Sequence, residues 1–250
     1  MNVGIIIQAR MGSTRLPGKI LKPFYGGKTL LETLLDNLHK IRGCKIIVAT
    51  SDNRNNDDLE KFLIDRGELV FRGSEYDVLD RFIRAAEKYE IDGIVRICSD
   101  NPFMDWHGIE KLVKKAAQSD ADYIGFRVND KPSILTHFGF WGEFVRLQAL
   151  KRVVASTAEG TPAHEHVTYH IYTHPEEYKC EWITCPSYLQ GRNDIRLTID
   201  TPDDLQSALQ VYTALKSKNE DFSLQEVVQY LDEHEEMKQA MMKSIDLNKK

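Results

Sequence analysis

Asn2-Val3-Gly4-Ile5-Ile6-Ile7-Gln8-Ala9-Arg10-Met11-Gly12-Ser13-Thr14-Arg15-Leu16-Pro17-Gly18-Lys19 is the stretch that decides the fold class. A short run rich in β-branched residues gives way to glycines and cations, and a helical period follows at Leu30 to Lys40. The succession then repeats. Strands are expected at Asn2 to Gln8, Lys45 to Thr50, Leu69 to Arg72, Gly93 to Cys98 and Ala121 to Phe126. Helices are expected near Asp57 to Arg66, Asp77 to Tyr89 and His107 to Gln118. Apolar strands alternating with helices build an α/β, Rossmann-like, doubly wound and mostly parallel sheet, whose ligand lies at the carboxyl ends of the strands.

After Phe126 the alternation fails. Asn129-Asp130-Lys131-Pro132 reads as a turn, and the segment from Asn129 to Gln190 as an inserted subregion. A strand is expected again at Ile195 to Ile199, then Thr201-Pro202 and a helix to about Lys216. Beyond it, residues 217–250 read as a helical, charged, mostly surface tail that includes Met241-Met242 and Lys249-Lys250. The chain is thus expected to be one domain. Its formal net charge of −5 argues against coating duplex nucleic acid, which needs a basic excess. No window reaches the roughly 18 apolar residues of a membrane span, so a cytoplasmic protein is expected. Cys44, Cys98, Cys180 and Cys185 form no C-x-x-C pair and read mostly as buried thiols.

The loop after the first strand carries three cations (Arg10, Arg15, Lys19), two hydroxyls (Ser13, Thr14) and two glycines (Gly12, Gly18). Glycines let backbone N–H groups approach an oxyanion, and cations neutralise phosphate charge. Five residues separate Gly12 from Gly18 and Ile20 follows Lys19, so this is not a Walker A loop, and no G-x-G-x-x-G is present. The same residues would also serve as a solvated basic turn.

The string IIIQARMGSTRLPGKIL resembles the opening signature of the CMP-sugar-acid synthetases, the acylneuraminate and deoxy-octulosonate cytidylyltransferases, in their spore-coat polysaccharide branch. The resemblance continues through Arg96-Ile97-Cys98-Ser99-Asp100-Asn101-Pro102-Phe103, His164-Glu165-His166-Val167-Thr168 and Arg196-Leu197-Thr198-Ile199-Asp200-Thr201-Pro202-Asp203-Asp204-Leu205, to about residue 215. It implies a nucleotide-diphospho-sugar transferase type of fold and transfer of CMP from CTP to an acidic sugar, with pyrophosphate released and Mg²⁺ required. Arg10, Ser13, Arg15 and Lys19 would then cradle the triphosphate, with Gly12 in the same loop, and Asp100 and Asp200 would hold the metal. Ser99 stands where many members carry glycine. Related synthetases pair through an inserted region, so a homodimer is expected.

Asp100 and Asp200 each end an expected strand and precede a proline, which places both at the carboxyl edge of the sheet. Mg²⁺ takes one or two carboxylates plus phosphate oxygens and water, and Asp before a helix equally serves as an N-cap. Capping is the preferred reading for Asp77, Asp105, Asp203 and Asp204. Ser74, in another strand-to-helix turn, is a candidate nucleoside contact or a plain turn residue. His166, His170 and His174 fall at helical spacing beside His164 and Glu165, but Val167 stands where a zincin needs Glu. Such a stripe reads as a polar or interface feature, with His164 or His166 a candidate contact for an acid. Phe138, Phe140, Trp141 and Phe144 read as core or interface. Alternatives that remain at this point are a nucleotidyltransferase using another nucleotide or a sugar phosphate or phosphonate, and a non-catalytic nucleotide-binding module.

Overall fold

The computed structural model describes residues 1–247. The first half alternates strand and helix: β1 (Val3–Gln8), the hairpin β2 (Pro23–Tyr25) and β3 (Lys28–Thr29), α1 (Leu30–Leu38), β4 (Lys45–Ser51), α2 (Asp57–Asp65), β5 (Leu69–Gly73), α3 (Val78–Lys88), β6 (Gly93–Cys98), α4 (Trp106–Gln118) and β7 (Tyr123–Val128). There follow β8 (Lys131–Pro132), β9 (Glu143–Arg146), α5 (Leu147–Ser156), α6 (Pro162–Glu165), α7 (Tyr169–Thr173), β10 (Cys180–Thr184), α8 (Pro202–Lys218), α9 (Leu224–Asp232) and α10 (Glu235–Leu247).

One mixed sheet runs β10-β7-β9-β6-β1-β4-β5, with β8 paired to β7. β1 is parallel to both β4 and β6, and its Ile5, Ile6 and Ile7 are fully buried beneath helices on the two faces. Burial on both faces is why these strands read as unbroken apolar runs. α1 opens with a capping box between Thr29 and Glu32, and its leucines face the sheet.

Three expectations change. The segment 129–190 returns to the main sheet: β9 inserts antiparallel between β6 and β7, and β10 adds parallel to β7 at the edge. Ile195 to Ile199 is buried but forms no strand. Leu197 and Thr198 donate to His137 O and Ile199 donates to Asp100 O, so the segment hangs from two points instead of a ladder. The C-terminal helices are more than surface, because Val227, Leu231, Met237 and Met241 join the core; Lys249 and Lys250 lie outside the described residues. All four cysteines are free, and only Cys185 is fully buried.

Gly142 sets the approach of β9 to β6. A Cβ there would run into the backbone oxygen of Arg96 and come within 2.9 Å of Ile97 Cγ1. Gly142→Ala is expected to destabilise the fold by about 1–3 kcal/mol, the usual range for overpacking. A lowered urea midpoint checks this; an unchanged one would show that β9 can shift without cost.

Candidate active site

The loop leaving β1 shapes itself. Ser13 N–H and Gly18 N–H both donate to Met11 O at 2.9 and 3.1 Å, Leu16 N–H reaches Ser13 Oγ at 3.3 Å, and Asn56 Oδ1 accepts from Met11 N–H at 2.9 Å. Gly18 closes the turn at φ 65, a region costly for residues with a Cβ. Lys19 follows directly and turns inward.

Its ammonium donates to Asp100 Oδ2 at 2.8 Å, Ile199 O at 2.5 Å and Asp200 Oδ1 at 3.3 Å. All three of its donors are therefore engaged by protein acceptors. The side chain is only 11% exposed, and burial works against its charge. The two carboxylates outweigh that, holding the Lys19 pKa above its usual value. Asp200 also receives Arg15 Nη2 at 3.1 Å on Oδ1 and Arg196 Nη2 at 3.1 Å on Oδ2. Burial opposes its ionisation, but Lys19, Arg15 and Arg196 together hold its carboxyl below the usual range. Arg196 is itself fixed by both oxygens of Asp204 at 2.8 Å and by His137 Nδ1 at 2.6 Å.

The capping question resolves by geometry. Thr201 is the N-cap of α8 and closes a capping box with Asp204, so Asp200 stands outside the cap. Asp105 occupies the N-cap position of α4, yet makes no side-chain cap bond; its carboxylate accepts from Trp141 Nε1 at 3.0 Å. Asp77 caps α3 through Asp80 N–H at 2.8 Å.

Arg10, Gly12, Ser13, Thr14, Arg15, Lys19, Asp100 and Asp200 line one cleft of about 320 Å³. Gln8, Arg96, Cys98, Ser99, Glu165 and His166 complete its wall. Every candidate from the loop and both aspartates therefore converge, although Lys19 faces the aspartates more than the open cleft. Ser74 does not line it. Its hydroxyl accepts from Asp77 N–H at 3.0 Å, and its carbonyl from Arg81 Nη1 at 2.7 Å, which makes it a turn residue.

The histidines do not share one helix face, because the backbone breaks at Val167 between α6 and α7. His164 is buried against Asp77 Oδ2 at 2.7 Å, His166 reaches the cleft, and the His170 and His174 rings stack at 4.0 Å. Among the described residues no group of three or more His, Cys, Asp or Glu is arranged to hold a metal. Phe138, Phe140, Trp141 and Phe144 are all buried.

Sequence reasoning missed a buried polar network. Glu143 on β9 accepts from Arg96 Nη1 at 2.6 Å, Thr168 Oγ1 at 2.6 Å and Tyr123 Oη at 2.7 Å, while Arg96 Nη2 reaches Gln8 Oε1 at 3.2 Å. Burial penalises the Arg96 charge, but its electrostatic surroundings, Cys98 and Glu143 foremost, keep its pKa above the usual value. The network pins Thr168 to the sheet. Val167 before it has φ 50 and is spanned by a 2.5 Å bond from Thr168 N–H to His166 O, a γ-turn that presents Glu165 and His166 to the cleft. The available signal was a pair of charges, Arg96 and Glu143, set within apolar runs.

The chain matches the family model described as cytidylyltransferase over residues 4–246. It is 36% identical to the spore coat polysaccharide biosynthesis protein SpsF of Bacillus subtilis, over 83% of this chain and 85% of that protein. It is 33% identical to 3-deoxy-manno-octulosonate cytidylyltransferase 2 of Hydrogenovibrio crunogenus, over 49% of this chain and 51% of that one. A solved cytidylyltransferase structure from Leptospira borgpetersenii superposes with TM-score 0.78 at 29% identity, covering 95% of this chain and 96% of that one. A protein that matches the family over nearly its whole length, and that gathers a basic loop and two aspartates on one cleft, belongs to the cytidylyltransferases.

Proposed function

We propose that this cytidylyltransferase transfers CMP from CTP to an acidic 2-keto sugar in surface polysaccharide or glycan biosynthesis, that it uses Mg²⁺, and that it works in the cytoplasm as a homodimer. The observation that carries the reading is the convergence of Asp100 and Asp200 on one ammonium at the wall of a cleft lined by Arg10, Ser13 and Arg15. An acceptor hydroxyl oxygen bonds to the α-phosphorus of CTP. The bond from that phosphorus to the bridging oxygen breaks, pyrophosphate leaves with the electron pair, and the hydroxyl proton passes to solvent. Arg10 and Arg15 counter the charge of the triphosphate, so the protein's part is positioning and electrostatic stabilisation.

Two carboxylates that already converge on a cation suit Mg²⁺, which takes few carboxylates and completes its shell with phosphate oxygens and water. Asp100 and Asp200 would hold it. When bound, the ion neutralises phosphate charge and polarises the phosphoryl group. Lys19 keeps the two aspartates together, and Glu165 and His166 face the cleft where an acidic acceptor would enter. Half the chain's likeness to a sugar-acid cytidylyltransferase supports the acceptor class.

Pyrophosphate release from CTP, UTP, ATP and GTP with a panel of sugar acids is expected to favour CTP and to stop on chelation. Equal turnover of a purine nucleotide, or turnover only with sugar phosphates, would overturn the reading.

The segment 129–190 is the expected dimer contact, with Val154 on α5 and Tyr169 on α7 as apolar side chains left exposed. Sedimentation should show a dimer; a fully active monomer at micromolar concentration would reject it.

Asp100→Asn and Asp200→Asn disturb no helix cap, so each should still fold, at reduced stability from the lost pairing with Lys19, and cut turnover by at least about 100-fold, on the scale of one lost electrostatic contact. The double variant should be little worse than either single one. Lys19→Met should lower kcat more than it raises KM for CTP. Asp200, with its depressed carboxyl pKa, gives stability that is present above the unfolded value near pH 4 and lost as pH falls through its folded value. Asp200→Asn should therefore flatten the acid limb of thermal stability below about pH 4. Near wild-type turnover in both single variants would sink the mechanism.

A further inference from the structure

A second cavity, of about 210 Å³, meets the first at Arg15, Cys98, Asp100 and Asp200. It differs in chemistry. Where the first is lined by the basic loop, the second has aromatic walls from Phe138, Phe140 and Trp141, and Arg15 is its only cation. Two of its lining residues, Asn101 and Thr198, carry a polar atom, Oδ1 and Oγ1, that is buried with no hydrogen-bond partner. The residues themselves are 5% and 6% exposed.

A buried polar atom left unpaired destabilises a fold, and native proteins leave few of them. Two on one cavity, beside the aspartate pair, need an explanation. Gly139 packs directly against both residues. A Cβ built there would lie 2.7 Å from Asn101 Oδ1 and 3.2 Å from Thr198 Cγ2, and its φ of 67 favours glycine. A side chain at position 139 would have to displace Asn101.

The complementary ligand follows from the donor and acceptor inventory. Asn101 Oδ1 only accepts, whereas a threonine hydroxyl both donates and accepts, so the occupant must present at least one O–H or N–H donor. With a single cation at the edge, the interior does not suit a carboxylate or phosphate. Aromatic walls with a few placed polar groups suit a ring or chain carrying neutral substituents.

We propose that this cavity receives an uncharged hydroxyl- or amide-bearing part of the acceptor sugar, and that Asn101 and Thr198 determine which acceptor is used. The inference rests on the reading that the acceptor is an acidic sugar and names the part of the protein that recognises its neutral end. The acceptor's carboxylate stays at the Arg15 side, and its reacting hydroxyl stays beside the aspartates that both cavities share.

Thr198→Val and Asn101→Ala test it. Binding of 3-deoxy-manno-octulosonate and of N-acetylneuraminate is measured by calorimetry on the full chain, together with the KM values for CTP and for each sugar, and thermal unfolding. At least one sugar should bind the wild type, and each variant should weaken it by roughly three- to tenfold, as expected for one neutral hydrogen bond. KM for CTP should stay unchanged, and Thr198→Val should unfold no lower than the wild type because it removes an unpaired hydroxyl. Wild-type affinity retained in both variants overturns the inference while leaving the transfer reading in place. An equal rise in both KM values overturns the selective role. No binding or turnover of any sugar acid by a wild type that releases pyrophosphate with other acceptors overturns the transfer reading, and this inference with it.

Discussion

The ammonium of Lys19 between Asp100 and Asp200 is the interaction on which the site depends. Its three members, Lys19, Asp100 and Asp200, come from the loop after β1, the turn after β6 and the segment before α8, parts of the chain that no local structure brings together. Two largely sheltered carboxylates that meet at one point repel one another, and the ammonium between them offsets that repulsion. Removing one member of such a cluster leaves uncompensated charge away from water, which costs far more than the pair gains over an apolar substitute. Arg196 carries the same logic one layer deeper, because its Nε and Nη2 hold Asp204, Nη2 also reaches Asp200, and Nη1 reaches His137.

Much of this was legible in the sequence because the central strands are covered on both faces, so burial and strand pairing coincide there. Gly93 to Cys98 was read with its observed ends for that reason. The loop from Arg10 to Lys19 was legible as a concentration of cations and glycines at a strand end. Ile195 to Ile199 misled because an apolar run reports burial and says nothing of ladder bonds. β9 was missed for the opposite reason, being four residues long with Glu143 at its start. Ser74 has the position of a binding residue and the hydrogen bonds of a turn, which only coordinates distinguish.

The histidine stripe failed as a helical pattern because it assumes continuous backbone. Val167 departs from it in the left-handed region, where a β-branched residue is strained by about 1–3 kcal/mol. Complete burial of Val167 and the bond from Thr168 to Glu143 hold that conformation. The strain lies where Glu165 and His166 turn toward the cleft, so a polar network in the sheet interior determines the shape of the cleft wall.

The placement of β9 has a consequence for how the polypeptide emerges from the ribosome. β6 and β7 are consecutive parallel-sheet strands in the chain, yet neither touches the other in the finished sheet, since β9 lies between them. Until residue 146 has been synthesised, the nascent chain carries two strand edges with unmatched backbone groups, the feature that invites pairing with the wrong chain. Asp200 arrives later still, so the basic loop is complete long before the carboxylate opposite it. Early release of the chain would therefore leave a basic cleft lacking its second aspartate, and the order of synthesis makes assembly of the acidic pair one of the last events in forming the site.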